Sequence, residues 1–137
     1  MCLWDLDAKV VWSAEMVLPL KWPSQNELGA NNRGYSGWRY RKFKARFEGC
    51  LRRYAKAVAP ATGWRRAYLV RRYGKGCRGY DDANLRGGGK ALIDAMVGLG
   101  YLKDDRPGLF LGSYHQERSS DGKDSILIRL EETDQGK

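Results

Sequence analysis

The sequence predicts a small single-domain α+β protein in which two main helices pack on a mixed β-sheet. Three observations support this fold class. The 137 residues suffice for one modest hydrophobic core. The candidate elements follow the order strand, helix, strand, helix, strand, strand, and no internal repeat is visible. Turn-forming residues separate apolar runs with helical spacing from short branched or aromatic runs, which is typical of alternating helices and strands.

The first strand is predicted in "EMVLPL", a short apolar run that stops at a proline. Met16 lies in this run and could be an alternative start, so residues 1–15 are interpreted as a candidate N-terminal extension. The domain itself is then expected in residues 16–131. The following "KWPSQNELGANNRGYSG" is rich in turn formers and predicts a long loop.

The first helix is predicted from Trp38 onward, where apolar residues recur at spacings of three and four. This stripe consists of Tyr40, Phe43, Phe47, Cys50, Leu51, Tyr54 and Val58. Its aromatic residues are interpreted as core rather than as a platform for stacking bases. Basic residues occupy the other helix faces, and "APATG" is expected to end the helix.

The second half of the chain predicts the remaining elements. "WRRAYLVRRY" has the composition of a strand, and "GKGCRG" turns the chain. A second helix is expected from Gly89 to Gly100. "LFLGSY" and "DSILIRLEE" predict two strands joined by the polar turn "QERSSDGKD", and residues 132–137 are expected to be a frayed tail.

Charge is distributed unevenly along the chain, whose formal net charge is +9. Between Trp38 and Arg78 there are 14 Lys and Arg residues and one acid, Glu48, whereas acids exceed bases in the remainder. This asymmetry indicates a polyanionic partner, with nucleic acid favoured over an anionic membrane. The candidate DNA-binding residues are Arg39, Arg41, Lys42, Arg71, Arg72, Lys75 and Arg78.

Other classes of site find little support. Cys2, Cys50 and Cys77 are odd in number and widely spaced, so neither a disulfide framework nor a zinc site is expected. The sole histidine, His115, is interpreted as a packing or surface residue. No apolar run approaches the roughly 18 residues of a membrane span, and the N-terminus lacks a basic leader. A cytoplasmic protein is therefore expected.

The stretch "YDDANLRGGGKALIDAMVGLGYLKDD" allows three interpretations. The first interpretation, a nucleotide-phosphate loop, does not match the required motif. Asn84 stands where the motif has its first glycine, and Ala91 follows Lys90 in place of Ser or Thr. No nucleotide cofactor is expected. The glycine run itself could offer N–H groups to a phosphate, or could form a flexible turn that needs unusual backbone angles.

The second interpretation is a magnesium or manganese site built from paired acids, Asp81 and Asp82 before the helix and Asp104 and Asp105 after it. A helix of about 12 residues spans ~18 Å, so these carboxylates cannot converge along it. They can meet only if the chain folds back after Gly100 or if a second subunit contributes. The third interpretation is a structural helix between solvated turns.

The same stretch resembles the signature of the RusA-like family of Holliday junction resolvases, especially its phage and prophage members. Those carry an acidic run ending in Asn, then a lysine, an apolar helix with an acid, and a terminal Asp-Asp pair. "LPLKWPSQN" is similar to the family's opening strand and turn. The resemblance covers about residues 16–131 and implies a homodimeric, magnesium-dependent endonuclease. Such an enzyme would bind four-way DNA junctions and nick two strands in recombination or repair, in the cytoplasm of a bacterial host.

The resemblance also implies roles for individual residues. Asp81 matches the first catalytic acid, Asp105 the last, and Lys90 the lysine that would contact the scissile phosphate. Asp94 matches the helix acid, whose role is expected to be structural.

The family's middle acid falls at Ala83, so Asp82 is expected to complete a metal set of Asp81, Asp82 and Asp105. The alternatives are a non-catalytic binder of branched DNA that lost a ligand at Ala83, and an RNA-binding or architectural protein.

Overall fold

The computed structural model of the chain describes residues 8–29, 37–105 and 110–134. Its elements in chain order are β1 (Val10–Leu18), α1 (Trp38–Leu51), a 3-10 turn (Arg52–Tyr54), β2 (Arg65–Tyr73), α2 (Asp82–Gly88), α3 (Lys90–Gly98), β3 (Phe110–Arg118) and β4 (Ser125–Thr133).

The four strands form one sheet in the order β1-β4-β2-β3. Strand β4 pairs antiparallel with both β1 and β2, whereas β2 and β3 are parallel. The parallel pair is joined by the segment that contains α2 and α3, as a parallel connection requires a long crossover. The predicted α+β class with helices on a mixed sheet is therefore confirmed.

One face of the sheet carries the core. In β1, Ala14, Met16 and Leu18 are buried while Glu15 and Val17 are exposed, which is the two-residue period of a strand covered on one side. The same period in β4 buries Ile126, Ile128 and Leu130. Helix α3 contributes Leu92, Ile93 and Met96 to this core.

Helix α1 packs on α3 through the apolar stripe. Tyr40, Phe47 and Leu51 are buried, and Phe43 packs against the core while partly exposed. The core interpretation of these aromatic residues is thus confirmed, because they are the face on which the helix rests.

Several element boundaries differ from the prediction. Strand β1 begins at Val10, inside the candidate N-terminal extension, and Val10 pairs with Thr133, inside the expected tail. Helix α1 ends at Leu51 and continues only as one 3-10 turn, well before "APATG". The predicted second helix is preceded by the short α2. These differences arise because pairing with a distant strand, or a cap, sets the boundary rather than local composition.

The glycine run serves close packing rather than either predicted role. In the described residues, positive φ occurs at other glycines, Gly29, Gly76, Gly100 and Gly122. A Cβ at Gly88 would overlap the Pro23 carbonyl oxygen and lie 2.9 Å from Trp22 Nε1. The run is thus neither a turn with unusual angles nor an open N–H cradle: Gly88 lies in α2, and Gly89 N–H donates to Arg86 O.

Candidate functional site

A glycine turn after α3 reverses the chain. Gly100 has φ of +81°, Tyr101 N–H donates to Met96 O at 2.8 Å, and Gly100 N–H donates to Val97 O at 3.0 Å. These are the two hydrogen bonds of a glycine-terminated helix end. The chain consequently folds back along α3 toward its beginning. Such a reversal after Gly100 is one of the two ways, predicted from the sequence, in which the acids at the two ends of the helix could approach each other.

The reversal places Asp105 against Lys90, the first residue of α3. Lys90 Nζ lies 2.6 Å from Asp105 Oδ2 and 3.0 Å from Asp94 Oδ1. The other Asp94 oxygen accepts a hydrogen bond from the Tyr40 hydroxyl of α1. These four residues, Lys90, Asp94, Asp105 and Tyr40, are called the Lys90 cluster. Three separate parts of the chain build it.

In the Lys90 cluster, Lys90 and Asp105 each stabilise the charged form of the other. Burial lowers the pKa of Lys90, but hydrogen bonds and charges from Asp105 and Asp94 outweigh it and raise that pKa overall. The hydrogen bond from Lys90 holds the pKa of Asp105 below its ordinary value, aided by Asp104. Burial, together with Asp94, raises the pKa of Tyr40. At neutral pH the cluster therefore contains an ammonium, an ionised Asp105 and a neutral phenol.

Asp81 and Asp82 hold the start of α2. Asp81 is its N-cap, and one carboxylate oxygen accepts from Asn84 N–H at 2.7 Å. Asp82 is largely exposed and pairs with Arg86 one turn along the helix at 3.0 Å. Ala83 is exposed beside them in the first turn. These contacts are local and do not reach the Lys90 cluster.

The predicted metal ligands are of the chemical type that magnesium prefers, but the structure does not group them around one point. Carboxylate oxygens are the ligands this ion prefers, and Asp105 is ionised. However, across residues 8–29, 37–105 and 110–134 no three Asp, Glu, His or Cys side chains are grouped so that they could hold a metal ion. The Lys90 ammonium already balances Asp105. The structure thus joins Lys90 and Asp105, but leaves Asp81 and Asp82 in local contacts.

The predicted DNA-binding residues divide into two groups. Arg39, Arg41 and Lys42 are exposed on α1, and Lys75 and Arg78 are exposed in the turn after β2. These five side chains face solvent, and their assignment to DNA binding stays a prediction. Arg72 is half-exposed and pairs with Glu117 of β3 at 2.8 Å.

Arg71 does not belong to this exposed surface. It is 2% exposed, and its guanidinium lies 3.6 Å from the Tyr80 ring centre and 4.7 Å from that of Tyr73. It donates to Arg78 O and Gln116 Oε1, both at 3.0 Å. The prediction of Arg71 as a DNA contact is corrected, because two aromatic rings and two acceptors enclose the charge.

Sequence reasoning did not identify Tyr40 and Trp38 as functional candidates. Tyr40 was assigned only to the core, although a tyrosine in a core stripe usually needs a partner for its hydroxyl. That requirement was the available signal. Trp38 lies one turn before Lys42, and its 63% exposure could not be read from composition.

Comparison of the chain with protein-family models and with curated proteins found no match in either set. Among the described residues, no helix is long and apolar enough to cross a membrane. Cys50 and Cys77 are free thiols, and Cys2 lies outside the described residues.

Proposed function

We propose that the protein is a magnesium-dependent endonuclease of the RusA-like type, which as a homodimer nicks branched DNA such as four-way junctions. One observation carries the proposal. The chain reversal at Gly100 brings Asp105 within 2.6 Å of Lys90, although 15 positions separate them. These are the two positions to which the sequence resemblance assigns the last catalytic acid and the lysine.

Lys90 is suited to contact a phosphate. Its side chain is 33% exposed, and Asp94 and Asp105 both hold its ammonium in place. The Tyr40 hydroxyl in turn holds Asp94. This arrangement orients a positive charge that can neutralise the negative charge developing on a phosphate oxygen as a phosphodiester is cut.

Asp81, Asp82 and Asp105 are the residues that would hold the metal ion in this proposal. A bound magnesium or manganese ion supplies a Lewis acid and an activated water for phosphodiester hydrolysis. Because the described residues do not group these three acids, oxygen ligands from a second protomer or from a DNA phosphate would have to join whichever of the acids holds the ion.

The exposed residues of α1 support the choice of DNA. Arg39, Arg41 and Lys42 project from one helix, and contacts of this kind with phosphates supply affinity that falls steeply as salt rises. Tyr40 lies between them in sequence and contacts Asp94 on the opposite side. The helix thus links the proposed binding surface to the Lys90 cluster.

The test of the site is Asp105→Asn, assayed with a synthetic four-way junction in magnesium. We expect the variant to lose cleavage while it still binds the junction, because the basic surface is intact. Asp121→Asn, in the turn before β4, removes the same charge elsewhere and should cleave like the parent. If Asp105→Asn also cuts like the parent, the site assignment is wrong.

A second candidate function is a non-catalytic binder of branched DNA. The observation that favours it is the lack of three grouped metal-ligating side chains among the described residues, combined with Ala83 at the middle-acid position. Ala83 is exposed, so Ala83→Asp can be made without disturbing the core. A large gain in magnesium-dependent nicking from a nearly inert parent would favour the binder. A parent that already nicks efficiently would exclude it.

A further inference from the structure

Trp38, the first residue of α1, exposes an indole ring to solvent. It is 63% exposed, the highest fraction among the large apolar side chains described as exposed. Tyr40 and Phe47 of the same helix are buried, so the helix does place aromatic rings in the core where packing needs them. Trp38 therefore contributes little to the core of the described residues.

Trp38 forms one wall of a groove of about 250 Å³ along α1. The remaining lining residues are Glu27, Arg39, Lys42, Phe43 and Arg46. The helical members are three or four positions apart, so they share one side of α1. Ligand pockets for drug-sized molecules begin at roughly 300 Å³. The groove is thus slightly smaller than such pockets.

The groove is strongly positive. Among the described residues, three cations and one acid line it. The acid, Glu27, pairs with Lys21 at 3.3 Å and accepts from Ser24 N–H. The Arg39 guanidinium lies 5.6 Å and the Lys42 ammonium 6.0 Å from the Trp38 ring centre. The indole offers a surface for stacking and the neighbouring cations offer positive charge, which together suit a ligand with a flat aromatic ring and negative charge.

An unpaired nucleotide has both of these properties. Its base can stack on an indole, and its phosphates can bind neighbouring Arg and Lys side chains. In a paired duplex the bases are already stacked, so only the phosphates are available. We propose that Trp38 stacks on an unpaired DNA base while Arg39, Lys42 and Arg46 hold the flanking phosphates. The inference deepens the proposed function, because it identifies single-stranded DNA next to a branch as part of the substrate.

The experiment measures binding of the full chain to two labelled DNAs by fluorescence polarisation at fixed salt. One is an oligothymidine of about 12 nucleotides, within the usual range of single-strand sites, and the other is a fully paired duplex. Trp38→Leu should weaken oligothymidine binding about tenfold or more, and duplex binding by less than about twofold. Trp38→Phe, which keeps an aromatic ring, should retain most of the affinity. Arg46→Gln, a charge control, should weaken both DNAs.

The outcomes separate this inference from the proposed function. Equal effects of Trp38→Leu on both DNAs, or none on either, would overturn the stacking site even if the protein cleaves junctions. Trp38-dependent binding to phosphatidylserine vesicles without binding to oligothymidine would also overturn it. A selective loss of oligothymidine binding in a protein that never cleaves would support the stacking site and reject the nuclease. Unchanged thermal midpoints show that each exposed substitution leaves the fold intact.

Discussion

Helix α1 and strand β2 are both rich in arginine and lie in the same basic segment of the sequence, yet the structure treats their charges in opposite ways. On α1, Arg39, Arg41 and Lys42 are exposed to solvent. On β2, Arg65 and Arg66 are 1% and 4% exposed. A helix has a wide outer arc on which cations can remain hydrated. A central strand has neighbours on both edges and much less exposed surface.

The acids that pair with β2 come from its neighbouring strands. The ion pairs are Arg65–Glu132, Arg66–Glu131 and Arg72–Glu117. Part of the acidic remainder of the chain therefore neutralises part of the basic segment inside the sheet. Net charge counted along the sequence therefore overstates the positive surface that is exposed. The exposed cations that remain in the basic segment lie on α1, on the 3-10 turn and the residues just after it, and in the turn after β2.

The largest effect should come from breaking a buried pair of β2. The Arg66 and Glu131 side chains are 5% and 11% exposed, with Arg66 Nη2 at 2.9 Å from Glu131 Oε1. Arg66→Met should lower the free energy of unfolding by about 3 kcal/mol, because it leaves a buried carboxylate uncompensated. Urea unfolding measures the loss. Binding of the folded variant to duplex DNA should stay unchanged.

The companion variant of this test is Arg66→Met combined with Glu131→Leu. Removing both charges should recover most of the lost stability, since an apolar pair can replace a buried ion pair. If Arg66→Met weakens DNA binding while the unfolding free energy holds, the strand is a binding surface and the contrast with α1 fails.

A smaller effect is expected from substitutions on α1, and it concerns DNA affinity rather than the free energy of unfolding. Replacing Arg39, Arg41 and Lys42 together by Gln should reduce duplex affinity by several-fold for each residue and lower the slope of log affinity against log salt by about 3. The unfolding free energy should change by less than about 1 kcal/mol, because exposed substitutions are usually nearly neutral. Titrations at a series of salt concentrations check this. A large loss of stability with an unchanged salt slope would contradict it.

The smallest effect concerns Lys90, a half-buried cation that is paired like those of β2. The pKa of Asp105 is depressed chiefly by Lys90. The stabilising charge of Asp105 is therefore present above its ordinary pKa of 3.8 and is lost as pH falls through the lower folded value. Lys90→Met should raise the pKa of Asp105 toward 3.8, measured by carboxyl NMR titration. Lys42→Met, on the exposed helix, should leave it unchanged.

The parts of the fold with a local signal were predictable. The stripe of α1 and the composition of β2 identified a helix and a strand because period and propensity act over a few residues. The pairing of Arg66 with Glu131 was not predictable, since it depends on strand register across 65 positions. The role of Gly88 depends on the loop that passes over it.

The candidate site was predictable only in part. The family resemblance, and not composition or spacing, singled out Lys90 and Asp105. Helix length set only one condition, that the chain must fold back after Gly100 for the acids at the two ends of the helix to meet within one chain. The sequence did not place Tyr40 beside Asp94, since that contact depends on how α1 packs on α3. It also could not show that Asp81 caps α2 instead of joining the Lys90 cluster.

The central claim is that the Lys90 cluster and the basic surface together cut branched DNA. The most direct measurement incubates the wild-type protein with a fixed four-way junction and with linear duplex of the same sequence, each with and without magnesium. The account predicts paired nicks in the junction only when magnesium is present, with the duplex left intact. Junction binding without nicking in magnesium or manganese would contradict the nuclease, and equal binding to duplex and junction at matched salt would contradict the branched substrate.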